Sequence, residues 1–305
     1  MKVLLICPTE HPAFRLLAEA APLAAVQLLG QSLVEYWLTE LACSGIKEVL
    51  ILSDDRPEMI RAIVGSGARW GMTIEVIAES RELSPAQALL KYEHILDPAM
   101  AHNSIVVLDH FPGLSEYPLF ASYRGWFEAL HAWMPRARTV DRVGVRELRP
   151  GVWTGLHSHI HPEAQIHAPC WIGRNAFVGK GAVVGPGTIV ENGAFIEPAA
   201  VLAGSYVGPE TFVGQFAEIC GSIALGGTLI NWQTGSATNV ADTFLLCALR
   251  RPAWTHPTGW LGRMAGLYSR NKEEAQVLWK HLLMRNEAEM SLIQVQDVGP
   301  DHDRS

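Results

Sequence analysis

Two hydrophobic rhythms divide the chain. Up to about residue 135, short apolar runs alternate with stretches whose apolar residues return at helical spacing. The runs Lys2–Cys7, Glu48–Leu52, Met72–Glu79 and Ser104–Asp109 read as buried strands. Between them, Ser32–Gly45 reads as a helix with Leu33, Trp37, Leu38 and Leu41 on one face and Gly45 at its C-terminal cap. Arg56–Gly65 reads as a shorter helix. A third begins at Ser84, an N-cap followed by Pro85 at the first helical position. Strand alternating with helix predicts a doubly wound parallel sheet with helices on both faces.

The second rhythm begins at Ile160. An aliphatic residue recurs every six positions through Ile166, Ile172, Val178, Val184, Val190, Ile196 and Leu202, and after one dropped residue resumes at Val207, Val213 and Ile219. Gly, a small residue or an acidic one usually follows the aliphatic, as in Gly173, Gly179, Glu191 and Ala203. The residue four positions on is small, as in Cys170, Ala176 and Ala182. This beat resembles the hexapeptide-repeat family, whose fold is a left-handed parallel β-helix, a triangular prism of three hexads per coil. The resemblance implies that the aliphatic fills the prism and that Gly tolerates the turn.

Neighbours on a strand face opposite ways, so the residue before each aliphatic points out of the prism. That row is Trp171, Phe177, Val183, Ile189, Phe195, Val201, Tyr206 and Phe212. It is too apolar to face water, and Phe177, Phe195 and Phe212 fall on one prism face. Something must cover them: a neighbouring subunit, the N-terminal domain or a C-terminal helix. We expect a homotrimer through this face, as hexapeptide-repeat proteins commonly form. The segment Asn271–Met290 supplies a capping-box start at Asn271 and Glu274 and a stripe of Ala275, Leu278, Trp279 and Leu282. The expected organisation is a truncated α/β domain over 1–150, the β-helix over 151–250 and a helical tail over 251–305.

Composition narrows the partners. A net charge of −7 with no basic run argues against nucleic acid or an anionic membrane. Five dispersed cysteines without a C-x-x-C fit reduced thiols in a cytoplasm, and no apolar run approaches the ~20 residues of a membrane helix.

Candidate chemistry lies in two places. In a parallel sheet, ligands sit beyond the carboxyl ends of the strands, where Asp54, Asp55 and Asp109 fall. Carboxylates there can hold Mg²⁺ against a phosphate, although Asp is also common in turns. The second place is "GLHSHIHPEAQIH", with His157, His159, His161 and His167. Alternate histidines on one strand would share a face and could ligate Zn²⁺; the other reading is surface and turn histidines on the first coil.

A strand–helix domain followed by a hexapeptide β-helix resembles the sugar-1-phosphate nucleotidyltransferases, including the bifunctional N-acetylglucosamine-1-phosphate uridylyltransferase. The segments carrying the resemblance are Ala21–Leu52, Gly65–Glu79 ("GSGARWGMTIEVIAE"), Leu83–Leu90 ("LSPAQALL") and Ala217–Leu245. It implies a nucleotide held near Thr9, Arg15, Ser84 and Gln87, catalytic candidates Arg15 and Asp109, Mg²⁺ as cofactor and a sugar nucleotide as ligand. Departures fall on the chemistry. The family's Gly-rich phosphate loop is here "CPTEHPAFR", whose two prolines remove N–H donors and whose Glu10 repels phosphate. The family lysine corresponds to Ala21. In the acetyltransferase members a late Asn-His pair supplies the acyl-transfer base, and here those positions are Asn231 and Trp232. The expected function is therefore a weakly active or non-catalytic, regulatory or scaffolding protein of nucleotide-sugar or cell-envelope metabolism. The alternative is an active sugar-1-phosphate nucleotidyltransferase or hexapeptide acyltransferase with altered active-site residues.

Overall fold

The computed structural model describes residues 2–249 apart from 10, 20, 93–104 and 138–143. The amphipathic stripe of Asn271–Met290 lies outside the described residues. Residues 1–250 form one compact unit.

The first rhythm builds a four-stranded parallel sheet in the order Thr73–Ala78, Glu48–Ser53, Lys2–Ile6, Ile105–Val107. Both faces are apolar because both are covered. Val3, Leu5, Val49 and Ile51 enter the larger core, while Leu4, Ile6, Leu50 and Leu52 pack with Leu83, Ala88 and Tyr92. The helices begin and end where the sequence places them. Leu33–Cys43 starts on a capping box of Ser32 and Glu35. Pro57–Val64 stops before Gly65, and Pro85–Tyr92 starts where Gln87 N–H donates to Ser84 Oγ at 3.3 Å. One further helix, Tyr123–Trp133, is unanticipated; Ser122 caps it by accepting from Gly125 N–H at 3.1 Å.

The second rhythm forms a left-handed parallel β-helix with three sheets. Its interior is lined by Ile172, Val178, Val184, Val190, Ile196, Leu202, Val207 and Val213, all fully buried. The register stacks like on like: Trp171 beside Ile189 and Trp153, Phe177 beside Phe195, and Phe195 beside Phe212.

Two details of the repeat differ from expectation. Gly173 is needed for close approach rather than for the turn, because a Cβ there would lie 2.5 Å from Asn192 N on the next coil. The left-handed corner falls three positions after Ile172, Val178, Val184, Val190, Ile196, Val207 and Val213. It is taken by Gly181, Gly187 and Gly193, but also by Asn175, Ala199, Glu210 and Phe216. Winding also runs one strand past the last beat at Ile219. After Ser222–Leu225 the chain turns back into antiparallel strands Thr228–Asn231 and Ala237–Asn239, and Leu246–Ala248 closes antiparallel on Thr211–Val213.

The α/β layer and the β-helix share one core. Trp153, Trp171, Ile189, Tyr206, Ile223 and Ile230, all pointing out of one prism face, belong to the same buried cluster as Phe14, Phe111, Trp126 and Trp133. Helix Tyr123–Trp133 mediates this union. Trp133 stacks on Phe111 at 5.0 Å on the sheet side, and Trp126 meets Tyr206 edge-on at 4.7 Å on the prism side.

A buried carboxylate completes the seam. Glu191 is fully buried and accepts from the backbone N–H groups of Leu29 and of Gly30, the latter at 2.8 Å. Leu29 and Gly30 form the left-handed turn of a short hairpin, Gln27–Leu28 with Gln31–Ser32. That turn aims two amides at the carboxylate, one to each oxygen, as charge-assisted hydrogen bonds. Tyr206 Oη donates to Gln27 O at 2.9 Å, and Asn192 Nδ2 donates to Gly30 O at 3.2 Å. The α/β domain is thus keyed to the prism by polar contacts as well as by aromatic packing.

Candidate functional site

The first candidate site lies beyond the carboxyl ends of strands Lys2–Ile6, Glu48–Ser53 and Ile105–Val107. There the chain's own side chains engage the groups a nucleotide would need. Glu82 Oε2 accepts from Thr9 N–H at 3.0 Å and from Thr9 Oγ1 at 2.6 Å, so a carboxylate already occupies the amide that follows the first strand. Asp54 sits nearby with a raised carboxyl pKa; burial is the main cause, and the charges of Glu82 and Asp55 add to it. Asp54 Oδ1 is buried and has no partner. Asp55 is paired with Arg56 at 2.8 Å, and Arg56 also donates to Ala18 O and, at 3.2 Å, to Glu19 O. Cys7 is no nucleophile, because burial first and then the Asp54 charge push its thiol up to about 12.

The residues expected at this site are not brought together as a phosphate cradle. Arg15 is mostly exposed on the short helix Arg15–Ala18 and lies 3.9 Å from Glu19. Ser84 and Gln87 bond to each other, with Ser84 N–H donating to Gln87 Oε1 at 3.1 Å, so their polar groups cap a helix. Asp109 Oδ1 is held by His110 Nδ1 at 2.5 Å. Among the described residues no group of three or more His, Cys, Asp or Glu is placed to hold a metal ion. A triphosphate with Mg²⁺ does not fit this constellation, because its first amide already serves Glu82.

The second candidate site is Asn231–Trp232. It lies on the turn between two antiparallel strands, not on a coil of the prism as the repeat suggested. Asn231 Oδ1 accepts from Gln233 N–H at 2.9 Å and Thr234 N–H at 3.0 Å, which makes it a turn residue. Trp232 stacks on Phe127 with ring centroids 4.6 Å apart and planes 14° from parallel, and its Nε1 donates to Gly204 O at 2.9 Å. A tryptophan there is a seam residue, and indole has no proton-accepting nitrogen.

The histidines do not converge either. His157 occupies a left-handed corner with φ of 58°, three positions after Thr154, which continues the aliphatic beat one step upstream. His159 stacks on Phe177 at 5.2 Å and 6°, extending the phenylalanine ladder. His161 Nδ1 accepts from Glu163 N–H at 3.1 Å. The corner at His157 sets it apart, whereas His159 and His161 flank Ile160 and line one recess, with no third metal ligand beside them among the described residues.

Sequence reasoning missed Glu82, Glu191 and helix Tyr123–Trp133. One signal available was an acidic residue, Glu191, at a position where the repeat usually places Gly.

What fold and site define is a nucleotidyltransferase-type α/β domain joined through a buried seam to a hexapeptide-repeat β-helix. Residues 16–117 match the family described as Nucleotidyl transferase, which relates the N-terminal domain to those enzymes. Among solved structures, the acetyltransferase domain of PglB from Neisseria gonorrhoeae FA1090 is 16% identical over 73% of this chain and 91% of that chain, with a TM-score of 0.16. A mutant of perosamine N-acetyltransferase from Caulobacter crescentus, in complex with CoA and GDP-perosamine, is 12% identical over 63% of this chain and 96% of that one, with a TM-score of 0.19. Likeness at those TM-scores carries no functional weight. Among the described residues no helix is long and apolar enough to cross a membrane.

Proposed function

We propose that this protein is a nucleotidyltransferase relative of nucleotide-sugar or cell-envelope metabolism that has lost both chemistries its architecture suggests and serves as a regulatory or scaffolding subunit. The observation that carries the reading is the Thr9–Glu82 contact, with Oε2 at 3.0 Å from the amide and 2.6 Å from the hydroxyl. Phosphoryl-type transfer depends on amides, cations and Mg²⁺ neutralising developing charge. A carboxylate seated on the leading amide supplies the opposite. For acyl transfer, Trp232 removes the base and fills its place with a packed ring.

A scaffolding role also suits the phenylalanine face of the prism. Phe177, Phe195 and Phe212 stack at 4.4 and 6.0 Å and remain only half-buried. A second copy of the chain, in a homotrimer, is the cover we propose; light scattering on the purified protein tests it, and a monomer at micromolar concentration would contradict it. The catalytic part is tested with Mg²⁺, a panel of nucleoside triphosphates and sugar 1-phosphates, and pyrophosphate release, with acetyl-CoA and amino sugars in a parallel arm. We expect background rates in both. Turnover above ~1 s⁻¹, the low end for ordinary enzymes, would overturn the proposal in favour of an active transferase.

A further inference from the structure

The first coil of the prism borders a recess. The coil carries Thr154, Ile160 and Ile166 at the inward positions, and all three line that recess, of about 490 Å³. Thr154 pairs with Ile172 in the next coil, where the repeat places an aliphatic residue. Thr154 is 1% exposed, and its Oγ1 is buried without a hydrogen-bond partner. A hydroxyl in place of a methyl at the base of an open recess is a group awaiting a partner, because burying it unpaired costs about 1–3 kcal/mol.

The rim supplies charge of one sign. Arg146, Arg149, Ser158, His159 and His161 line the same recess. A second recess of about 450 Å³ continues from it, sharing Arg149, Ala164 and Ile166 and adding His167. Neither of the acidic side chains nearest in sequence lines either recess: Glu147 Oε1 accepts from Gly151 N–H at 2.9 Å, and Glu163 pairs with Lys180 at 3.1 Å. Two guanidinium forks, imidazole nitrogens and hydroxyls make a donor set for an oxyanion. The apolar base of Ile160 and Ile166, with Pro162 beside them, suits a short carbon body. The volume lies within the usual range for a small-molecule site, about 300–1,000 Å³.

From this juxtaposition we propose that the N-terminal mouth of the β-helix binds a small organic phosphomonoester. Its phosphate is held by Arg146 and Arg149, and its body enters the prism end toward Thr154. A phosphomonoester fits better than a carboxylate because three terminal oxygens can use the full donor set, whereas a planar carboxylate offers two. The site is separate from the Thr9 crevice and from Trp232, so the proposal stands or falls independently of the catalytic reading.

The experiment is ligand-observed NMR and calorimetry on the full chain with n-butyl phosphate, butyrate, butylammonium and inorganic phosphate. We expect saturable binding of butyl phosphate that inorganic phosphate competes away, and at least tenfold weaker binding of butyrate. The Arg146→Gln/Arg149→Gln double variant, whose changes fall on exposed side chains, should lose at least tenfold in affinity with an unchanged melting temperature. Thr154→Val, which preserves shape, should leave butyl phosphate affinity within about twofold, because an alkyl body offers the hydroxyl no hydrogen bond. Absence of saturable butyl phosphate binding, equal binding of butyrate or butylammonium, or affinity unmoved in the arginine double variant would overturn the assignment.

Discussion

Two faces of one prism carry outward rows of large apolar residues, yet they have different fates. Trp153, Trp171, Ile189 and Tyr206 are buried under the chain's own N-terminal domain, whereas Phe177, Phe195 and Phe212 stay half-buried. The contrast teaches that an outward apolar row marks a covered surface without saying what covers it. On the first face the cover includes polar keys: Glu191 on the Leu29–Gly30 amides and Tyr206 on Gln27. The phenylalanine face has stacked rings with His159 at one end.

The sharpest way to break the comparison is to truncate one ring on each face. Trp171→Ala should cost about 3–5 kcal/mol, as for a fully buried large aromatic, and urea unfolding should show it at any protein concentration. Phe195→Ala should cost the isolated chain only about 1–2 kcal/mol because the ring is incompletely buried, and its main effect should appear in the assembly state by light scattering. Next in size is Glu191→Ala. It leaves two buried amides without an acceptor, so about 3 kcal/mol is expected, and hydrogen exchange should show the Gln27–Ser32 hairpin losing protection before the prism does.

Trp232→His tests whether restoring the base residue restores chemistry. Loss of the stack on Phe127 should cost about 1–2 kcal/mol, and acetyl transfer measured with acetyl-CoA should stay at background, because the residue sits on a seam turn rather than in an open coil corner.

How far the sequence reveals this arrangement depends on what each position is asked to do. The prism interior is legible because each coil needs an aliphatic residue at the same spacing. The left-handed corners are not, because Asn175, Ala199, Glu210 and Phe216 share a backbone angle and no side-chain chemistry. Helix starts at Ser32 and Ser84 follow from capping chemistry. Helix Tyr123–Trp133 carries the same signals, with Tyr123, Trp126, Phe127, Leu130 and Trp133 buried at helical spacing behind the Ser122 cap. The degenerate phosphate loop can be read from missing glycines, but the occupant of its amide, Glu82, comes from a segment 73 residues away in sequence.

The smallest effect concerns Asp54. Burial, with Glu82 and Asp55, raises its carboxyl pKa, so the folded protein holds the proton more tightly than the unfolded chain. That contribution to stability is fully present below the ordinary Asp pKa of about 4 and is lost as pH rises through the raised folded value. Asp54→Asn should therefore be more stable than the parent at pH 7, with the difference closing below about pH 4 in thermal melts.

The central claim is that the loop after the first strand cannot hold a triphosphate because Glu82 sits on the Thr9 amide and no cation compensates. Calorimetric titration of the intact protein with Mg²⁺ and each nucleoside triphosphate, followed by a crystal soak, tests it most directly. The account predicts no saturable binding at millimolar nucleotide and the Thr9–Glu82 contact intact. A nucleotide ordered against Thr9–Arg15, with Glu82 displaced and a cation beside the phosphates, would contradict it.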